Sequence, residues 1–196
     1  MSKSTKRPII EDTINEITSL YHAAIEAAQS FREKTKPTQT KDEHIGVIVA
    51  NTVRKEEIEE RVIELRQRAL ARISVIINEF VEGVKAFQTI NGVDITPDSQ
   101  ILNDVFSPNQ DDVYRLMEKY YDTNYSMAFA IQKYAKGKGY RCRHYQTAEQ
   151  QRAIIDDFIK IMEPRFFEQL SEDTGTKMDF DVCVTYYKQR ALDRAV

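Results

Sequence analysis

Cysteine is nearly absent, with only Cys142 and Cys183 in 196 residues, so a disulfide-stapled secreted scaffold is excluded. Six glycines and five prolines are too few for a chain built on β turns. No stretch approaches the ~18 consecutive apolar residues of a membrane span; the densest run, Ile73 to Val81, is interrupted by Ser74, Asn78 and Glu79. The opening MSKSTKRPII has no apolar signal core. These absences predict a soluble chain in a reducing cytoplasm, with no membrane partner. An excess of either charge is also missing: 28 Lys and Arg face 31 Asp and Glu, for a net charge of −3. That balance excludes a basic nucleic-acid coat or a polyanionic mimic as a description of the whole chain. What is present is 41% hydrophobic and 30% charged residues, the composition of a folded globular chain.

The apolar residues follow helical spacing. From about Ile9 to Lys34, Ile10, Ile14, Ile17, Tyr21, Ala24, Ala28 and Phe31 alternate steps of four and three, a coiled-coil-like seam. Pro37 ends that helix, and Thr40 to Glu43 reads as a capping box that restarts one, which predicts an antiparallel hairpin. The second helix extends from Lys41 toward Gln88, with Ile58, Val62, Leu65, Ala69, Ile73, Ile76, Phe80, Val84 and Phe87 on one face. A helix of that length spans roughly 70 Å, so either the molecule is elongated or the helix breaks. The weakest place is Gly46 to Val53, rich in β-branched residues.

Asn91-Gly92 closes this helix, and Thr96-Pro97 opens a short helical piece with Ile101, Leu102 and Val105. Ser107-Pro108-Asn109-Gln110 predicts a helix start with Ser107 as its cap, followed by a single helix through Tyr134 that stops before Gly137 and Gly139. Thr147 to Gln150 is another capping box; Pro164 kinks or restarts its helix, and a terminal helix begins near Lys177. The expected fold is all-α: an elongated helical bundle of five to seven helices with an N-terminal antiparallel helical hairpin. The expected organisation is a long-helix hairpin over 1–90 and a Tyr-rich helical bundle over 91–196, or the two as one continuous domain.

Charge is uneven along this pattern. Residues 133–146 hold five cations and no acid, directly after the most acidic stretch. Lys133, Lys136, Lys138, Arg141 and Arg143, interleaved with Tyr134, Tyr140, His144 and Tyr145, make a candidate nucleic-acid or partner site, since cations meet phosphates and rings stack bases. The bland alternative is a helix end that favours cations through its dipole. Seven of the ten tyrosines fall between Tyr114 and Tyr145. On one continuous helix Tyr114, Tyr121, Tyr125 and Phe129 lie off the apolar stripe, which makes them a candidate interface.

The E-x-x-E pairs within Glu56 to Glu60 and at Glu79 and Glu82 are similar to the Mg²⁺-binding glutamates of all-α nucleotide pyrophosphohydrolases. On one helix Glu57 and Glu79 stand roughly 33 Å apart and cannot share an ion, so pairs such as Glu57–Arg61 and Glu64–Arg68 account for the charges better. Cys142 and His144 form C-x-H among cations that would lower a thiol's pKa, but His22, His44 and Cys183 show no zinc spacing. No G-x-S-x-G, HExxH, Walker or dinucleotide-binding pattern occurs. In general style the chain is similar to small helical accessory proteins of bacteria and their phages, a likeness that no motif carries. The expectation is a non-enzymatic, cytoplasmic interaction protein without cofactor or metal, self-associating as a homo-oligomer or bound to a protein partner. The alternative is a nucleic-acid-binding module acting through residues 133–145.

Overall fold

The computed structural model describes residues 7–36, 45–102, 106–171 and, near the C-terminus, 182, 184–187 and 189. Among these residues there are five α-helices, two 3₁₀ helices, a further helical stretch over 184–187 near the C-terminus, and no strand, so the fold is all-α. The α-helices are α1 (Ile10–Lys34), α2 (Ile45–Phe87), α3 (Gln110–Tyr120), α4 (Tyr125–Lys138) and α5 (Ala148–Ser171); the 3₁₀ helices are Gly92–Asp94 and Pro97–Leu102. None of the described helices is long and apolar enough to cross a membrane. The predicted breaks at Pro37 and Thr174 to Thr176, the capping box at Thr40, and Val105 and Cys183 lie outside the described residues.

The chain divides into two compact units. The first takes the described residues of Glu11–Ile77 and Ile155–Tyr187. Here the α1 seam is buried as its spacing predicts, with Phe31 only half-buried at its end. Thr13, Thr18, Ile25 and Arg32 are buried beside it, so the buried stripe is wider than a two-stranded seam and suits a helix packed in a core. Tyr21 meets Phe166 of α5 with ring centroids 4.4 Å apart, and each such fully buried ring contributes about 1.5–3 kcal/mol. Burial, then Glu163, push the Tyr21 phenol well above its ordinary pKa. The Arg32 guanidinium donates to the Leu170 carbonyl at the end of α5, one of the carbonyls a helix end leaves without an internal partner. Tyr187 packs edge-on against Phe158 at 5.5 Å.

The direction of α1 against α2 follows from which residues meet. Phe31 borders the same cleft as Glu57 and Arg61, and Glu16 pairs with Arg72 at 3.6 Å. Partners that rise along one helix as they fall along the other describe an antiparallel hairpin. Helix α2 runs unbroken through Gly46 to Val53, so the weak helix propensity of this stretch does not break it.

The second unit takes the described residues of Met1–Ile10, Asn78–Ile154 and Lys188–Val196. Its core joins Val113, Met117, Tyr120 and Tyr121 to Met127, Ala128, Ile131 and Ala135. The structure corrects the expected start of α3: Asn109, not Ser107, is the N-cap. The Asn109 side chain accepts from the Asp112 N–H at 3.0 Å while the Asp112 carboxylate accepts from the Asn109 N–H at 3.2 Å, a reciprocal box. Ser107 stands at φ 42°, outside the right-handed helical region that a following proline disfavours.

A second correction concerns the expected single helix from residue 110 to Tyr134. It is two helices, because Asn124 caps a new start by accepting from the Met127 N–H at 3.0 Å and anchors itself by donating to the Asp94 carbonyl at 2.7 Å. Gly137 does not stop α4; Gly139 does, at φ 72°. With the Tyr140 N–H donating to the Ala135 carbonyl at 2.9 Å, the end is a Schellman turn that calls for glycine. Helix α5 opens with the expected Thr147–Gln150 box, whose hydrogen bonds are 2.9 and 3.2 Å, and continues as one helix through Pro164.

Candidate functional site

The residues predicted as an interface separate once α3 and α4 are distinct helices. Tyr114 is exposed on α3, whereas Tyr121 is only 2% exposed. Its ring stacks on Tyr145 at 4.5 Å and 11°, and Arg7 and Arg143 sit over it at 4.7 and 4.3 Å. Arg7 is held in place by Asp122, with a side-chain pair of 3.3 Å and a backbone bond of 3.3 Å. Tyr125 meets Tyr145 at 5.0 Å, Phe87 at 5.9 Å and Phe129 at 5.8 Å. Tyr121, Tyr125 and Phe129 thus belong to an aromatic cluster of this unit. Their second-face placement assumed one uninterrupted helix, and the Asn124 break resets the angular register.

The basic segment is placed by the same cluster. Lys133, Lys136, Lys138 and Arg141 are exposed, and Lys133 rests over Phe129 at 4.9 Å. Arg143 is half-buried and pairs with Glu118 at 3.2 Å. Tyr140 and Tyr145 are half-buried against the core, as are Tyr134 and Cys142. The Tyr145 hydroxyl donates to the Tyr121 carbonyl; burial, then Tyr121, hold its phenol far above the usual tyrosine range, so it stays a donor. Burial likewise pushes the Cys142 thiol up. The direction is opposite to the lowering expected from neighbouring cations, because the half-buried site desolvates the thiolate.

The acidic pairs behave as helix-surface charges. Glu57 and Glu79 both lie on α2, 22 residues and therefore roughly 33 Å apart. Arg61 and Arg68 both turn to Glu64, so Arg61 pairs one turn onward rather than with Glu57. Among the described residues no group of three His, Cys, Asp or Glu is arranged to hold a metal ion.

One surface was not singled out by sequence reading. At the start of α2, Ile45, Ile48, Val49 and Val53 are 80%, 52%, 56% and 47% exposed. Steps of three, one and four place them on one side of the helix, with Thr52 between Ile48 and Val53 and bonded back to the Ile48 carbonyl at 3.0 Å. The helical period alone could have exposed it, since these residues lie N-terminal to the core stripe that begins at Ile58. Compared with models of protein families, with curated proteins and with solved structures, the chain matches none.

Proposed function

We propose that the protein is a non-enzymatic helical interaction protein that associates with a second copy of itself through the exposed aliphatic face at the start of α2. The observation that carries this reading is the set Ile45, Ile48, Val49 and Val53, four large aliphatics exposed together on about two turns. Exposed apolar side chains scattered singly need no explanation, whereas a contiguous set marks a surface that gains by being covered. The same turns contain Gly46, Val47 and Thr52, weak helix formers. A helix of such residues draws its stability from packing more than from propensity. An uncharged aliphatic face is complementary to itself, which is what a two-fold interface between identical chains needs.

Sedimentation velocity at tens of micromolar tests the reading on wild type and on I48E/V49E. Wild type sediments as a concentration-dependent oligomer, and the variant sediments as a monomer that melts as wild type does at low concentration, where wild type has dissociated. A wild type that stays monomeric throughout overturns the proposal.

A further inference from the structure

The cations around the end of α4 are independent of that face. Lys136 and Lys138 occupy the last turn of α4, where the helix dipole accounts for them. It does not account for Lys133, more than a turn earlier, or for Arg141, beyond the Gly139 cap. No acidic residue lies within 133–146, and neither Lys136 nor Arg141 has an acidic partner among the described residues. The backbone that carries them is fixed by the Schellman turn at Gly139 and by Tyr140 and Cys142 packing on the core on either side of the exposed Arg141. Cations carried on a backbone fixed this way bind without the cost of ordering the segment itself.

The rings of the segment face a different task. Tyr134, Tyr140 and Tyr145 are packed against the core, and Tyr145 is already stacked on Tyr121. What the segment leaves exposed is chiefly its cations, with His144 as its one exposed ring. Cations without interspersed acids suit a ligand of uniformly repeated negative charge, such as a phosphate backbone.

We infer that Lys133, Lys136, Lys138 and Arg141 form a site for the phosphate backbone of nucleic acid, engaging charge and not base identity. Four phosphate contacts give a salt slope of about −3.6 on duplex and about −2.8 on single strand, so raising salt from about 50 to about 200 mM lowers affinity about 150-fold and about 50-fold, respectively.

Fluorescence anisotropy with a labelled mixed-sequence oligonucleotide, as duplex and as single strand, measures this across that salt range. The full chain binds both forms with those slopes, and K136E/R141E at least halves the slope and weakens binding tenfold or more. K55E/K160E, an equal charge change at exposed residues outside the segment, leaves binding within about threefold. K136A/R141A, which removes charge without adding repulsion, carries the comparison if the reversed variant does not fold. Absent binding at low salt, salt-independent binding, a strong preference for base composition, or equal loss in K55E/K160E would each overturn the inference. So would a lowered melting temperature in K136A/R141A, which would mean that these cations dock on acidic faces of the chain itself.

Discussion

At the scale of single residues the structure turns on a few side chains whose surroundings fix their effect. Phe166 is fully buried against Tyr21, so Phe166→Ala should cost about 3–5 kcal/mol, read as a lower urea midpoint; a loss under about 1 kcal/mol would contradict the core assigned here. Gly139 sits at φ 72°, where any side chain is strained, and Gly139→Ala should destabilise by about 1–2 kcal/mol although nothing lies within 4 Å of the added methyl. Asp98 accepts hydrogen bonds from Lys119 and from the Tyr120 hydroxyl, both at 2.6 Å. These bonds hold its carboxyl below the ordinary aspartate value. The stability they add is therefore present above that ordinary value and lost as pH falls through the lower folded one. Melting curves of wild type and Asp98→Asn should differ at pH ~7, the gap narrowing as pH falls below the ordinary aspartate value of ~3.9; a gap that stays constant into acid would remove Asp98 from the acid response.

At the scale of elements, much was legible and the reasons for the remainder are local. The α1 seam and the α2 stripe from Leu65 onward were readable because a helix repeats its buried face every three or four residues, and the Thr147 box because both partners are three apart in sequence. The single helix expected from residue 110 to Tyr134 was misread because Asp122-Thr123-Asn124 has no glycine or proline to announce a break, while Asn124 reaches the Asp94 carbonyl thirty residues earlier. That partner is invisible to periodicity. Tyr121 and Tyr125 were misplaced for the same reason, as the register resets between α3 and α4. The cations from Lys133 to Arg143 were found by counting charge, but the burial of the rings among them depends on packing. Asn124→Ala should remove the cap of α4 and cost about 1 kcal/mol or more, measurable by thermal melting; an unchanged melting temperature would show that the break does not depend on Asn124.

At the scale of the whole molecule, the core explains most apolar residues and leaves the start of α2 unexplained. Low helix propensity between Gly46 and Val53 and four exposed aliphatics are both accounted for if a second copy covers this face, since association stabilises what it buries, increasingly so as concentration rises. Hydrogen exchange of the backbone amides across residues 45–55, compared between about 1 μM and about 100 μM protein, tests this most directly. The account predicts that protection of these amides rises with concentration while that of the α1 and α5 core amides stays constant, and that I48E/V49E abolishes the rise. Exchange that is equally fast, or equally slow, at both concentrations would contradict it.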